Sequence, residues 1–124
     1  MAAVLAVALG GAAGSVLRYL FTKAATDLFG AGFPYGTLGV NVLGSFAAGG
    51  LYVVLAERAL APEYRALLMV GVLGGFTTFS AFSVDSLRLW EEAGAGLALW
   101  NVVLNTALSL FACAAAIWLG RQYL

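Results

Sequence analysis

The chain has 124 residues, 63% of them hydrophobic and 10% charged, with six basic side chains against six acidic ones and no histidine. A soluble domain carries about a quarter charged residues, so the composition is that of a membrane protein, and zero net charge argues against a basic patch for nucleic acid. Cys113 is the only cysteine, which excludes a disulfide framework and a cysteine metal cluster.

Charge-free runs at 1–17, 28–56, 66–84 and 93–120 each supply enough apolar chain for one crossing, which takes about 20 residues. They predict an all-α membrane protein with four transmembrane helices, near 3–22, 35–56, 64–84 and 97–120, as one domain over 1–124. The first run has no basic leader and passes into Arg18-Tyr19 without a convincing cleavage site, so it reads as a retained helix rather than a signal peptide. Gly10 with Gly14, Ser45 with Gly49, and Gly71 with Gly75 have the small-xxx-small spacing of close helix contacts.

The second helix carries Thr37, Asn41 and Ser45 at i, i+4 and i+8, on one face. The third reads GVLGGFTTFSAFS at 71–83, with Thr77, Ser80 and Ser83 at threefold spacing and Phe76, Phe79 and Phe82 one residue behind. Gly74-Gly75 ahead of Thr77-Thr78 is a place where a helix can break, and non-helical backbone at membrane depth survives only buried in protein or lining a wet cavity. The fourth repeats the polar stripe with Asn101, Asn105, Ser109 and Cys113. Singly, these groups read as interhelical glue; three stripes together read as a polar pathway.

No acidic residue falls inside the four predicted cores: Asp27, Glu57, Glu63, Asp85, Glu91 and Glu92 lie at helix ends or in loops. A proton-coupled carrier or cation site normally needs an embedded carboxylate. Hydroxyl and amide donors, and the positive edges of aromatic rings, suit an anion instead. With four crossings, Arg58, Arg65 and Arg121 lie on one side and Arg18, Lys23 and Arg88 on the other. That balance fits either a weakly biased orientation set by a partner or insertion of copies both ways.

GGAAGSVLRY at 10–19, GTLGVNVLGSFAAG at 36–49 and GVLGGFTTFSAFS at 71–83 occur in order, one per successive helix. Together they resemble the Fluc family of fluoride channels, also called CrcB proteins, over essentially the whole chain. The resemblance implies a channel and no catalytic residues: an antiparallel, dual-topology homodimer with two fluoride pores, in a prokaryotic plasma membrane. It implies a third helix broken near its centre and a structural, untransported Na⁺ held by main-chain carbonyls, here at Gly74 and Thr77. It places Asn41, Thr78, Phe79, Ser80, Phe82, Asn105 and Ser109 along the fluoride path and Arg18 at a vestibule. Phe76 stands where a leucine is common and reads as packing; Cys113 replaces a small residue or serine at the outermost step. The partners implied are a second copy, fluoride and the lipid bilayer. The rival readings are a proton-coupled cation carrier similar to the small multidrug-resistance transporters, which use a first-helix glutamate that 1–22 lacks, and a non-transporting membrane subunit.

Overall fold

The computed structural model describes all 124 residues, helical almost throughout and without a strand. In chain order the elements are α1 (Ala2–Phe29), α2 (Tyr35–Glu57), α3 (Pro62–Arg65), a π-helical segment (Ala66–Leu73), α4 (Gly74–Phe76), α5 (Phe79–Ala93) and α6 (Ala95–Tyr123). The third span, Pro62–Ala93, therefore consists of several pieces, and it and the three long helices are each long and apolar enough to cross a membrane. Only 20 of the 124 residues are buried, while Leu9, Val16, Leu99, Leu110 and Phe111 lie exposed on α1 and α6. Such a surface suits hydrocarbon, where helices keep their backbone polar groups satisfied internally.

Two spans run well past the predicted ends. Nothing in residues 23–29 stops α1 before Gly30, whose φ of 81° ends it, and Lys23 pairs with Asp27 at 3.6 Å along the exposed face. Likewise α5 continues to Ala93 and stops at Gly94, with φ 93°. A charge ends a stretch suited to lipid, not a helix. Asp85 consequently lies in the middle of α5 rather than at a helix end or in a loop. Its carboxylate accepts from Thr37 Oγ1 at 2.7 Å and lies 3.7 Å from Arg88 Nη2, so it is an engaged group.

Packing is set by small residues. α2 lies chiefly against α6, α1 against the π-helical segment and α4, and α5 against α6. A Cβ on Gly14 would collide with the Val72 carbonyl, one on Gly71 would come 2.9 Å from Gly10 Cα, and one on Gly49 would collide with the Cys113 carbonyl. The glycines of the three small-xxx-small pairs thus serve contacts between helices of one chain. Gly74 and Gly75 do not break the helix: both lie within α4, and Gly74 has φ −61° and ψ −37°. A Cβ on Gly75 would lie 2.7 Å from the Gly11 carbonyl, so this glycine allows close approach to α1.

Candidate functional site

Helical geometry lapses two residues after the glycines. Thr77 (φ −85°, ψ 159°) and Thr78 (φ −152°, ψ 122°) are both extended. Each threonine closes one side of the interruption. The Thr77 amide and hydroxyl both donate to the Leu73 carbonyl at 2.9 Å, finishing the first half. Thr78 is the N-cap of α5, its hydroxyl accepting from the Ala81 amide at 3.0 Å.

The peptide groups set free at the interruption find partners on other helices. An unbroken helix would direct the Thr78 amide to the Gly74 carbonyl; it donates to Asn41 Oδ1 instead, at 2.8 Å. Asn41 Nδ2 returns one hydrogen to the Thr78 carbonyl and the other to Asn105 Oδ1, each at 3.0 Å. From α1, Arg18 Nε donates to the Gly75 carbonyl at 2.9 Å. The Thr77 carbonyl receives no hydrogen bond. Three residues beyond Asn41, Gly44 makes room for the Thr77 methyl, which a Cβ there would strike. The N-x-x-G spacing on α2 thus supplies a brace and a seat on one face.

Beside the interruption lies a groove of about 360 Å³ between α2, α5 and α6. Of the residues expected along a pathway, Asn41, Thr78, Phe79, Phe82, Asn105 and Ser109 line it. Phe79 is 79% exposed, so its ring is open to whatever covers the groove, and it meets Phe82 with centroids 5.4 Å apart and rings tilted by 55°. Ser80 is not in the lining; it is exposed, with its hydroxyl 3.3 Å from that of Thr78. Arg18 and Gly74 also lie outside this groove, Gly74 and Thr77 lining a second cavity of about 230 Å³ that shares Ser45 and Thr77 with it. Cys113 is in neither wall. Phe76 packs edge-on against Phe21 at 6.3 Å.

Both N–H groups of Asn41 are engaged, and those of Asn105 go to the carbonyl and side-chain oxygen of Asn101, at 3.0 Å each. The hydroxyls of Thr22, Thr26, Thr77, Ser83 and Ser86 bond back to their own helices. Ser109 does not: its Oγ is buried and has no partner. Ser45 and Thr106 also line the groove with hydroxyls that make no hydrogen bond within the chain. Thr106 lies off the i, i+4 stripe of the fourth helix, although it stands three residues before Ser109 on the same helix. An unpartnered buried hydroxyl costs about 1–3 kcal/mol. Ser109→Ala is therefore expected to leave thermal unfolding of the purified protein in detergent unchanged or raised, which a melting curve measures.

The lining thus offers amides, free hydroxyls and two ring edges, and no ionisable side chain. Such a wall can replace the water around a small anion without trapping it, since neutral dipoles hold an ion less tightly than a full charge. Comparisons with known proteins point the same way. Residues 5–121 match the family model described as CrcB-like protein, Camphor Resistance (CrcB). A protein from Shewanella oneidensis named "Fluoride-specific ion channel FluC" is 48% identical over 118 residues, 95% of this chain and 92% of that one. A protein of the same name from Shewanella pealeana is 44% identical over 119 residues, covering 96% and 93%. One from Methylococcus capsulatus is 47% identical over 116 residues, 93% of this chain and 49% of that longer protein.

Proposed function

The chain belongs to the CrcB family, and from that premise we propose that it is a fluoride-selective ion channel, a multi-pass membrane protein without enzymatic activity. The observation that carries this reading is the groove beside the interrupted third span, whose wall presents neutral donors and the rings of Phe79 and Phe82. Fluoride leaves water only where fixed donors replace its hydration. The unpartnered hydroxyl of Ser109 is the first such donor, and the ring edges carry the positive side of the aromatic quadrupole through the middle of the path. Asn41 lines the path while holding the interruption open through Thr78, its donors already shared with protein oxygens. The Ser80 hydroxyl, beside Thr78 and outside the groove, extends the polar surface at its edge.

Flow is passive. A negative-inside potential drives F⁻ out at about 2.3 kcal/mol per 100 mV, so no coupling ion is needed, and export protects a cell into which HF has leaked and dissociated. A cation carrier fits less well, because Asp85, the one acid in the middle of a long helix, is engaged by Thr37 and Arg88. The exposure of Phe79 on a single chain suits a pore completed by a second copy, and the balanced basic residues suit antiparallel insertion, giving two pores per dual-topology dimer. A structural Na⁺ would be held by the main-chain carbonyls of Gly74 and Thr77. The residues fit a hard cation: the Thr77 carbonyl has no hydrogen-bond donor, and no cluster of His, Cys, Asp or Glu offers a competing site. When bound, such an ion would supply a fixed positive charge.

The test is release of fluoride from liposomes holding the purified protein, read with a fluoride electrode beside a chloride assay. Valinomycin carries K⁺ to balance charge, and protein-free vesicles are the control. Rapid fluoride release without chloride is the expected result; folded protein that releases none refutes the reading. Phe79→Ile is expected to abolish fluoride release while leaving the oligomer intact in size-exclusion chromatography, because bulk stays and the aromatic edge goes. Near-normal release by that variant removes the ring from the mechanism.

A further inference from the structure

Asn101 lies outside the groove and is completely buried. Its Nδ2 donates to Ser86 Oγ on α5 at 2.9 Å, and Ser86 Oγ donates to the carbonyl of Phe82 at 2.8 Å. On its other side, the Asn101 carbonyl and Oδ1 both accept from Asn105 Nδ2, Asn105 Oδ1 accepts from Asn41, and Asn41 holds Thr78 at both its amide and its carbonyl. These bonds form one chain of donors and acceptors that leaves the third span at Thr78, crosses α2 and α6, and returns to the same span at Phe82. Backbone from 78 to 82 closes the ring, and that short stretch carries both groove phenylalanines.

The direction of every link is fixed by backbone groups. The Thr78 amide can only donate, so Asn41 must turn its oxygen there and its nitrogen towards the Thr78 carbonyl and Asn105. Asn105 then presents its own oxygen to Asn41 and its nitrogen to the Asn101 carbonyl, which can only accept. Asn101 Nδ2 is left facing Ser86, whose hydrogen goes to the Phe82 carbonyl. No amide in the series can flip without setting two like groups against each other. Removing a member remote from the groove leaves these directions in place but unpartners the side chain next to it, and the slack passes link by link towards Asn41 and the rings.

We propose that Asn101, acting with Ser86, is a positioning residue for the aromatic pair: it braces Asn41 through Asn105 and Phe82 through Ser86, without itself touching the permeating ion. The proposal rests on the fluoride-channel reading for its effect on flux, but not for its effect on geometry, so two readouts separate them. The milder variant is Ser86→Ala, which removes the far link without introducing bulk; Asn101→Leu removes the middle one.

In liposomes, Ser86→Ala is expected to lower fluoride release about tenfold per folded protein and to raise the chloride-to-fluoride ratio, with Ser86→Thr restoring both. The Ser86→Ala/Asn101→Leu double variant is expected to be no worse than Asn101→Leu alone, because both cut one chain. In side-chain amide NMR of the detergent-solubilised protein, Ser86→Ala is expected to move the Asn41 and Asn105 signals, neither of which it contacts. Unmoved amide signals, multiplicative losses in the double variant, or a fall in release that merely tracks folded yield at constant selectivity would each overturn the proposal. Wild-type protein without fluoride release would refute the channel reading, while the amide signals would still decide the chain.

Discussion

Asn41→Leu is expected to reduce fluoride release by about a hundredfold or more in the liposome assay, with the protein still recoverable from the membrane. Leucine keeps the branched four-atom outline of the asparagine side chain and keeps the helix, so the change removes the three hydrogen bonds made at Thr78 and Asn105. An average polar contact between membrane helices contributes only about 0.6 kcal/mol, because its groups find other partners once it is lost. Thr78 cannot do so. Its amide and carbonyl belong to extended backbone, Thr78 is buried, and the hydroxyl beside it already caps α5. Orphaning a buried backbone group costs about 1–3 kcal/mol, and two are released here, enough for two tenfold steps in the population of the competent geometry. The cheap escape is for Thr77 and Thr78 to rewind into helix, which turns Phe79 out of the groove. Flux within a few-fold of wild type would show that the interruption holds itself open.

Gly14→Ala is expected to cost the fold itself, whereas Gly11→Ala, three residues earlier on α1, is expected to be neutral. The two differ by position alone. A Cβ at Gly11 meets nothing within 4 Å, and alanine is the better helix former by about 1 kcal/mol. A Cβ at Gly14 collides with the Val72 carbonyl and lies 2.9 Å from the Phe76 amide, both backbone atoms that cannot swing aside. The helices must separate, and the separation falls at the turn that leads into the interruption. Thermal unfolding and yield of the purified protein check the pair: equal behaviour of the two variants would mean that α1 and the third span pack less closely than described.

How much of this was legible beforehand differs from feature to feature. The four crossings could be read directly, because lipid imposes a length and a polarity that any sequence must meet. Their ends could not. Lys23, Asp27 and Asp85 mark where lipid stops, while α1 and α5 continue to Gly30 and Gly94, where positive φ turns the chain. The polar stripe on α2 and the Asn105–Ser109 pair were visible through i, i+4 spacing, which places side chains on one face whatever surrounds them. Gly74-Gly75 ahead of Thr77-Thr78 permit a break without fixing its place; the glycines themselves stay helical where α1 demands room, and the stop comes from the capping at Thr77 and Thr78. Ser86 was hidden among charged neighbours and carried no visible signal: only its reach to Asn101 across to α6 gives it a role. That Asn41 and Asn105 have no idle donors is likewise a property of three helices together, beyond any one stripe.

The composition of the groove wall also bears on the conditions under which the proposed channel would work. Amides, hydroxyls and phenyl rings neither gain nor lose a proton across the biological range, and every side chain lining the groove is one of these or a hydrocarbon. Fluoride enters cells as its undissociated acid, so the burden is heaviest when the surroundings turn sour. A wall built with histidine or carboxylate would change its charge over that same interval and with it its grip on an anion. Here the wall keeps one character at every acidity the cell meets, so its grip on an anion does not change with pH.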